Sequence, residues 1–391
     1  MNPQARQAWL GRQFAGRFGR QPESWFRAPG RVDLMGSHTD YNLGYVLTMA
    51  IDRDTWLAAA PREDGRVRIY SANTESGASF ALDPVEQDRE LPWTNYVRGV
   101  ADVLQKEGYR LPGFDGLVHS TVPLSGGLSS SAALEVVAAV AFRALARLAI
   151  PDLELALLCQ RAENEFVGLD CGILDQYSSL FGRQGHVLLL DCRDLSSSTS
   201  PVAKGISVVI CDTQTSRELT GSEYSERRAQ CEQGARLLAR RLPQVASLRD
   251  VSPADFERHA ATLPEVVARR CRFIIEENRR VLDLADALAG GDRPAIAALT
   301  ASSYAGARDL YEISSPEMEL MMAAMLAGPG VIGARQAGAG FGGCMVAFVD
   351  SSQVDAFAAH VARAYREASG FTPHIYPTQP APGAGPLPAP A

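Results

Sequence analysis

The sequence predicts a two-domain protein that mixes helices and strands. Three observations carry that expectation. The chain has 391 residues, enough for two domains of ordinary size. Short strand-like runs and longer helix-period runs occur along its whole length. Two glycine-rich loops, at 123–133 and 333–344, each adjoin strand-like text. A boundary near residue 205 divides the chain into 1–205 and 206–376, followed by a tail at 377–391.

Taken in order, residues 1–20 place Trp9, Leu10, Phe14 and Phe18 at near-helical spacing among four arginines, Arg6, Arg12, Arg17 and Arg20. This predicts a helix, without the continuous apolar stretch of a secretory signal. Tyr45 to Ile51, Thr55 to Ala59 and Val67 to Tyr70 read as strands. Trp93 to Gly108 has helical periodicity, and Gly116 to Val122 alternates as a strand does. Ser129 to Leu148 is rich in Ala, Val and Leu and predicts a mostly buried helix. Leu153 to Val167 predicts a second helix. The apolar runs at 185–191 and 206–212 predict buried strands. Ser222 to Leu242 is an amphipathic helix pattern, further helices extend to about Leu326, and Met345 to Val349 is strand text. From Thr378 to Ala391 the chain is almost all Pro, Ala and Gly, the composition of a disordered tail.

Composition narrows the function. A hydrophobic fraction of 46% with 21% charged residues supports a sizeable core. A net charge of −7 argues against non-specific binding of nucleic acid or anionic lipid. No apolar run reaches the roughly 20 residues that span a bilayer. The seven cysteines are scattered with no C-x-x-C pair. They read as reduced thiols of a cytoplasmic protein, at spacings wrong for zinc.

Three segments carry chemistry. Pro123-Leu-Ser-Gly-Gly-Leu-Ser-Ser-Ser-Ala-Ala133 lies between a predicted strand and a long helix. Glycines let backbone N–H groups face one concavity, and a helix start adds free N–H groups and positive potential. Serine hydroxyls donate to phosphate or ligate Mg2+. No Gly-Lys-Ser/Thr follows the glycines, so it is not a Walker A loop. Alone, the run also reads as a serine N-cap on a buried helix. Ala28 to Asn42 packs Arg31, Asp33, His38, Thr39, Asp40, Tyr41 and Asn42 into one stretch. That density of hydrogen-bonding groups suits a polyol; alone, it is also a polar surface loop. Ala162 to Gln176 sets Glu163 on a helix and Asp175 beyond two glycine turns. Phosphoryl transfer to a hydroxyl calls for one carboxylate near the acceptor and another near Mg2+.

The serine loop resembles the ATP-binding motif of the GHMP kinases, and its triple serine looks like the galactokinase form. The 28–42 stretch is similar to the galactokinase signature, whose usual form is Gly-Arg-Val-Asn-Leu-Ile-Gly-Glu-His-Thr-Asp-Tyr. Cys171 to Gln176 and Gly333 to Cys344 resemble two further galactokinase motifs. The resemblance spans about residues 25 to 376. It implies an α+β, two-domain GHMP kinase fold: an N-terminal mixed-sheet domain and a C-terminal ferredoxin-like α/β sandwich, with an active-site cleft between them. It also implies transfer of the γ-phosphoryl group of ATP to the anomeric hydroxyl of D-galactose, with Mg2+.

Carried over residue by residue, Arg31 steadies the transferring phosphoryl group and Asp175 is the base or orients the acceptor. Ser37, His38, Asp40, Gly172 and Tyr224 are sugar-side positions. Trp93, Tyr96 and Leu124 flank adenine, although Trp93 and Tyr96 also read as core aromatics, and Tyr224 as a surface tyrosine. Ser125, Gly126, Gly127, Leu128, Ser129 and Ser130 cradle phosphate. Ser131 and Glu163 hold Mg2+. The expected partners are a small-molecule sugar and ATP, with no nucleic acid and no membrane, and the expected state is a monomer. Four departures stand out. Ser125 replaces a usual glycine, Asp33 a usual Asn, and Gln336-Ala337 a usual Met-Thr. Ser37 replaces a Glu that contacts the sugar near its C6 hydroxyl, leaving that end roomier. Two rival readings are therefore kept. One is a GHMP kinase for L-arabinose or an amino or N-acetyl sugar. The other is a non-catalytic sugar sensor, against which the intact serine run, Arg31 and Asp175 weigh.

Overall fold

The computed structural model describes residues 2–123, 127–169, 171–215 and 221–389. The chain begins with helix α1 (Pro3–Phe18), strands β1 (Ser24–Met35), β2 (Tyr45–Arg62), β3 (Arg66–Ser71) and β4 (Ser76–Ala81), then α2 (Asn95–Lys106), β5 (Gly113–Ser120), α3 (Ser130–Leu145), α4 (Asp152–Arg161) and α5 (Leu174–Phe181). It continues with β6 (His186–Asp191), β7 (Ser197–Pro201), β8 (Ile206–Asp212), α6 (Gly221–Ala239), α7 (Pro253–His259), α8 (Glu265–Gly290), α9 (Arg293–Asp309), α10 (Pro316–Leu326), β9 (Val331–Gln336), β10 (Cys344–Asp350), α11 (Val354–Ser369), β11 (His374–Thr378) and β12 (Gly385–Leu387).

The chain forms two compact units. The first comprises 1–31, 50–182 and 381–391, and the second 32–49 and 183–380. In the first, strands run in the order β12-β1-β2-β5-β3-β4, with β3 parallel to β5 and antiparallel to β4. This is the expected mixed sheet. Successive side chains of a strand point to opposite faces, and β2 uses both. Leu57 and Ala59 join α2, α3 and α4 in one core, with Phe114, Val136, Val140 and Leu155. Trp56, Ala58 and Ala60 join Leu10 and Phe14 of α1 in another. Helix α1 is set by local signals: the Asn2 side chain accepts from the Ala5 N–H at 2.7 Å, and Gly19 closes it at φ 72°.

The second unit contains an antiparallel sheet of order β11-β8-β10-β9. Met318, Met321 and Met325 of α10 and Phe357, Val361 and Tyr365 of α11 pack with Val209, Met345 and Ala347 of that sheet. Helices α6, α7 and α8 build a separate core around Cys231, Phe256, Cys271, Phe273 and Tyr311.

Three expectations need correction. The division at residue 205 is not the one the contacts make, because 32–49 and 381–391 each join the unit that is remote in sequence. The tail expected to be disordered instead carries β12, where Leu387, Pro386 and Gly385 pair with Trp25, Phe26 and Arg27. A short Pro- and Gly-rich segment lacks a core of its own, yet it serves as an edge strand when a neighbour offers donors and acceptors. The two strands expected at 45–51 and 55–59 are one, β2. Its polar middle persists because Asp54 pairs with Arg6 and Arg27.

Candidate active site

Asp175 lies in the first turn of α5 and is the focus of the first unit. Arg31, from β1, donates through Nε and Nη2 to Asp175 Oδ1 at 2.8 and 2.5 Å, and through Nη1 to the Gly127 carbonyl at 2.8 Å. Ser129 Oγ donates to Asp175 Oδ2 at 2.5 Å. Glycine-loop backbone, arginine and aspartate therefore meet, although Arg31 and Asp175 are 144 residues apart. Ser129 is the N-cap of α3 and adopts the left-handed region, φ 60° and ψ 47°. For a residue with a Cβ that conformation costs about 1–2 kcal/mol. Here it delivers the hydroxyl to Asp175 rather than to the helix. Gly127, at φ 67°, sits in the region where glycine has no such penalty. Leu128 is buried and its carbonyl accepts from the Arg31 N–H at 3.2 Å. Ser130 and Ser131 open α3, whose first N–H groups have no intrahelical partner. Leu124, Ser125 and Gly126 lie outside the described residues.

Behind this turn is a buried acidic cluster. Glu163 lies in a π-helical turn, Ala162–Val167, that follows α4. Its Oε2 accepts from Cys171 Sγ at 3.1 Å and from Gln176 Nε2 at 2.7 Å. Burial raises its pKa above the ordinary carboxylate value; the Cys171 thiol opposes that, the Asp175 charge adds to it, and Gln176 and the Ser131 side chain oppose it by hydrogen bonding. Glu135 of α3, wholly buried, accepts from the same Gln176 nitrogen at 3.0 Å. Its pKa is raised well above the ordinary value, by burial first and the Glu163 charge second. Tyr96 is half-buried, and its phenol is raised by burial and then by Glu163 and Glu135, which puts it within electrostatic reach of the cluster. Trp93 packs against the first unit's core and donates through Nε1 to Ser76 Oγ at 3.0 Å. Gly172 is exposed just before α5.

The remaining sugar-side candidates belong to the second unit. His38 is buried, with φ 63°. Its Nε2 faces the Ala339 carbonyl at 2.8 Å and its Nδ1 faces the Tyr41 hydroxyl at 2.9 Å. A carbonyl only accepts, so Nε2 carries the hydrogen of that bond. Tyr224 of α6 lies against His38 at 5.3 Å between ring centroids. Asp40, half-exposed, starts a short 3-10 turn. Ser37 is buried and accepts from Arg335 Nη2 at 3.0 Å, so its hydroxyl faces a buried guanidinium. The second glycine-rich segment, 333–344, buttresses this half: Arg335 and Ala339 hold Ser37 and His38 respectively.

Sequence reasoning missed Glu135 and Arg335, and gave Gln176 no role of its own. Glu135 stands in an apolar helix run, where one acid is easily passed over. The spacing of Gln176, one residue past Asp175, was the available signal.

Family models match in three places: the galactokinase galactose-binding signature over residues 12–61, the GHMP kinases N terminal domain over 95–183 and the GHMP kinases C terminal over 284–367. The chain is 43% identical over 376 residues to a galactokinase of Roseiflexus sp. (strain RS-1), covering 96% of both chains. It is 43% identical to a galactokinase of Chloroflexus aggregans, covering 91% of both. Among solved structures, a Lactococcus lactis galactokinase complexed with galactose matches with a TM-score of 0.90 and 36% identity, covering 97% of this chain and 99% of that one. A Methanococcus jannaschii mevalonate kinase at 16% identity and a TM-score of 0.63 shares the fold.

Proposed function

The chain belongs to the galactokinase family of sugar kinases, and from that premise we propose that Arg31 and Asp175 transfer the γ-phosphoryl group of ATP to the anomeric hydroxyl of D-galactose. The products are ADP and α-D-galactose 1-phosphate. One observation carries the residue assignment: Arg31 and Ser129 converge on the two oxygens of Asp175 beside the glycine–serine loop.

Asp175 Oδ1 takes two donors from Arg31 and Oδ2 takes one from Ser129. A carboxylate has about four lone-pair sites, so Oδ2 keeps one for the acceptor hydroxyl. Asp175 thus orients the sugar oxygen and receives its proton. In a largely dissociative transition state that proton need not leave early. Arg31 faces both the loop and the carboxylate, so its charge stabilises negative charge on the migrating phosphoryl group. Gly127 and Leu128, with Ser129 and Ser130 at the start of α3, offer backbone donors to the phosphates. The proposal extends to Leu124, Ser125 and Gly126, and to Trp93 and Tyr96 beside adenine.

Mg2+ fits the residues present. Ser131 and Glu163 supply one hydroxyl and one carboxylate, near enough that the Ser131 side chain works against the raised Glu163 pKa. Mg2+ typically takes one or two protein oxygens and draws the rest from phosphate and water. When bound, it would neutralise charge on the β- and γ-phosphate oxygens. Asp40, Tyr224, Gly172 and Ser37 are proposed on the sugar side. His38, with both ring nitrogens engaged, contributes shape and rigidity there. The proposal includes a monomeric, cytoplasmic enzyme. No helix among the described residues is long and apolar enough to cross a membrane.

The test is ATP-dependent phosphorylation across D-galactose, L-arabinose, N-acetylgalactosamine and D-fucose. D-galactose is expected to give the highest kcat/KM; preference for another sugar would replace the substrate assignment. Asp175→Ala is expected to abolish turnover while ATP still binds, and full activity in that variant would remove the mechanism.

A further inference from the structure

We propose that Gln176 is a positioning residue whose side-chain amide ties Glu163 to Glu135, holding the Glu163 carboxylate toward Ser131. The inference rests on the reading that Glu163 and Ser131 hold the cation.

Gln176 is wholly buried. An amide nitrogen has two hydrogens, and Gln176 Nε2 directs one to Glu163 Oε2 at 2.7 Å and one to Glu135 Oε2 at 3.0 Å. The Cys171 thiol also donates to Glu163 Oε2. Two donors thus occupy Oε2, and the cation would take Oε1. The Ser131 side chain, on the first turn of α3, lies near enough to work against the raised Glu163 pKa.

Glu135 has no other evident purpose. It occupies a helix buried nearly all round, with Ala132, Ala133, Val136 and Val137 beside it. Its Oε1 has no hydrogen-bond partner among the described residues. A buried carboxyl so poorly satisfied is unfavourable on its own. Its other carboxylate oxygen accepts from the Gln176 amide. α3 thus carries Ser131 on its first turn and, one turn later, Glu135, the anchor of the tether.

The tether also couples two carboxylates of the site. Gln176 follows Asp175 directly in α5, so the turn that aims Asp175 at Arg31 aims the amide at Glu163. Glu163 itself sits in a π-helical turn, a less regular support than an α-helix. Without the amide, nothing from α5 would hold the Glu163 carboxylate, and it would rotate away from Ser131.

The test uses the full-length chain with ADP and Mn2+, a paramagnetic stand-in for Mg2+, whose binding is followed by electron paramagnetic resonance. Gln176→Leu is expected to weaken Mn2+ binding by about 10- to 100-fold, the usual effect of losing a group that orients a metal ligand. KM for the sugar should change less than about twofold. Glu135→Leu should weaken Mn2+ in the same way, and Glu135→Gln, which keeps an acceptor oxygen, should restore it to within about threefold of the parent. If Gln176→Leu does not fold, Gln176→Asn, one methylene too short to reach both carboxylates, carries the same expectation. Parent-like Mn2+ affinity in the folded Gln176 variant, beside loss of affinity in Glu163→Ala, overturns the tether alone. Parent-like affinity in Glu163→Ala overturns the metal reading, and the tether with it.

Discussion

Arg335 is fully buried and donates to Ser303 Oγ, the Leu34 carbonyl, Ser37 Oγ and Glu277 Oε1. Glu277, also wholly buried, pairs in addition with Arg280. Asp33 lies within electrostatic reach and supports the charged form of Arg335. Two cations thus face two anions, and Ser37 completes the set as a neutral acceptor. This changes the meaning of the serine. From sequence it looks like a shortened sugar contact; in the fold it is a member of a balanced buried network. Ser37→Glu would add a third carboxylate beside Glu277. An uncompensated buried charge costs about 3–5 kcal/mol, so the variant should melt several degrees below the parent. Removing the neighbouring charge, as in Asp33→Asn with Ser37→Glu, should recover at least about half of the loss, because the effects of interacting charges do not add. Thermal melts of the single and double variants check this. An unchanged melting temperature in Ser37→Glu would show that the network tolerates the extra charge. His38 makes the same point: its type was legible as polar site chemistry, but the commitment of both nitrogens to Tyr41 and Ala339 was not.

At the scale of elements, α3 shows why a pattern can be read correctly and still hide a site residue. Its Ala- and Val-rich text predicts a buried helix, and Ala132 to Phe142 is buried except for Leu134. Burial on every side gives Glu135 no route to water, which raises its pKa above the ordinary 4.5. The sign of the consequence follows from linkage. With the folded value above the unfolded one, Glu135 is neutral in both states below about pH 4.5, and the fold carries no penalty there. As pH rises past 4.5 the unfolded chain ionises first, and stability is lost progressively up to the folded value. Glu135→Gln lacks that loss. Its melting temperature relative to the parent should therefore climb as pH rises from about 4.5 toward 8. A difference that stays flat with pH would show that Glu135 ionises at its ordinary value. The π-helical turn after α4 is a second case. Residues 153–167 carry one helical periodicity, and only packing decides that the last turn widens at Ala162–Val167.

For the whole molecule, the C-terminal residues correct the largest expectation. Ala381 N–H donates to the Ala50 carbonyl at 2.9 Å, Gly383 N–H to Gly182 at 2.7 Å and Ala384 N–H to Ser179 at 2.8 Å. Arg27 Nη1 reaches the carbonyls of Pro382 and Gly383. Gly383 fits because a Cβ there would lie 2.0 Å from the Leu180 carbonyl oxygen. These contacts fasten the tail to β1, β2 and α5 of the first unit, the elements that carry Arg31 and Asp175. Truncation after Pro380 should lower the melting temperature by several degrees and reduce kcat. Net hydrogen bonds of about 0.5–1.5 kcal/mol each are lost with it. A truncated chain with parent-like stability would return the tail to a passive role.

The chemical vocabulary was determined by the sequence alone: a glycine–serine turn before a helix, an Arg-to-Asn polar stretch, two carboxylates in one segment and the balance of helix and strand. Those features are local, set by residue type and by spacing within a few turns of chain. Tertiary structure decided the partnerships. It brought Arg31 to Asp175, Gln176 to both Glu135 and Glu163, Ser37 to Arg335 and the proline-rich end to β1. Each joins atoms whose mutual orientation depends on how buried surfaces pack, and side-chain packing leaves no periodic trace along a single chain.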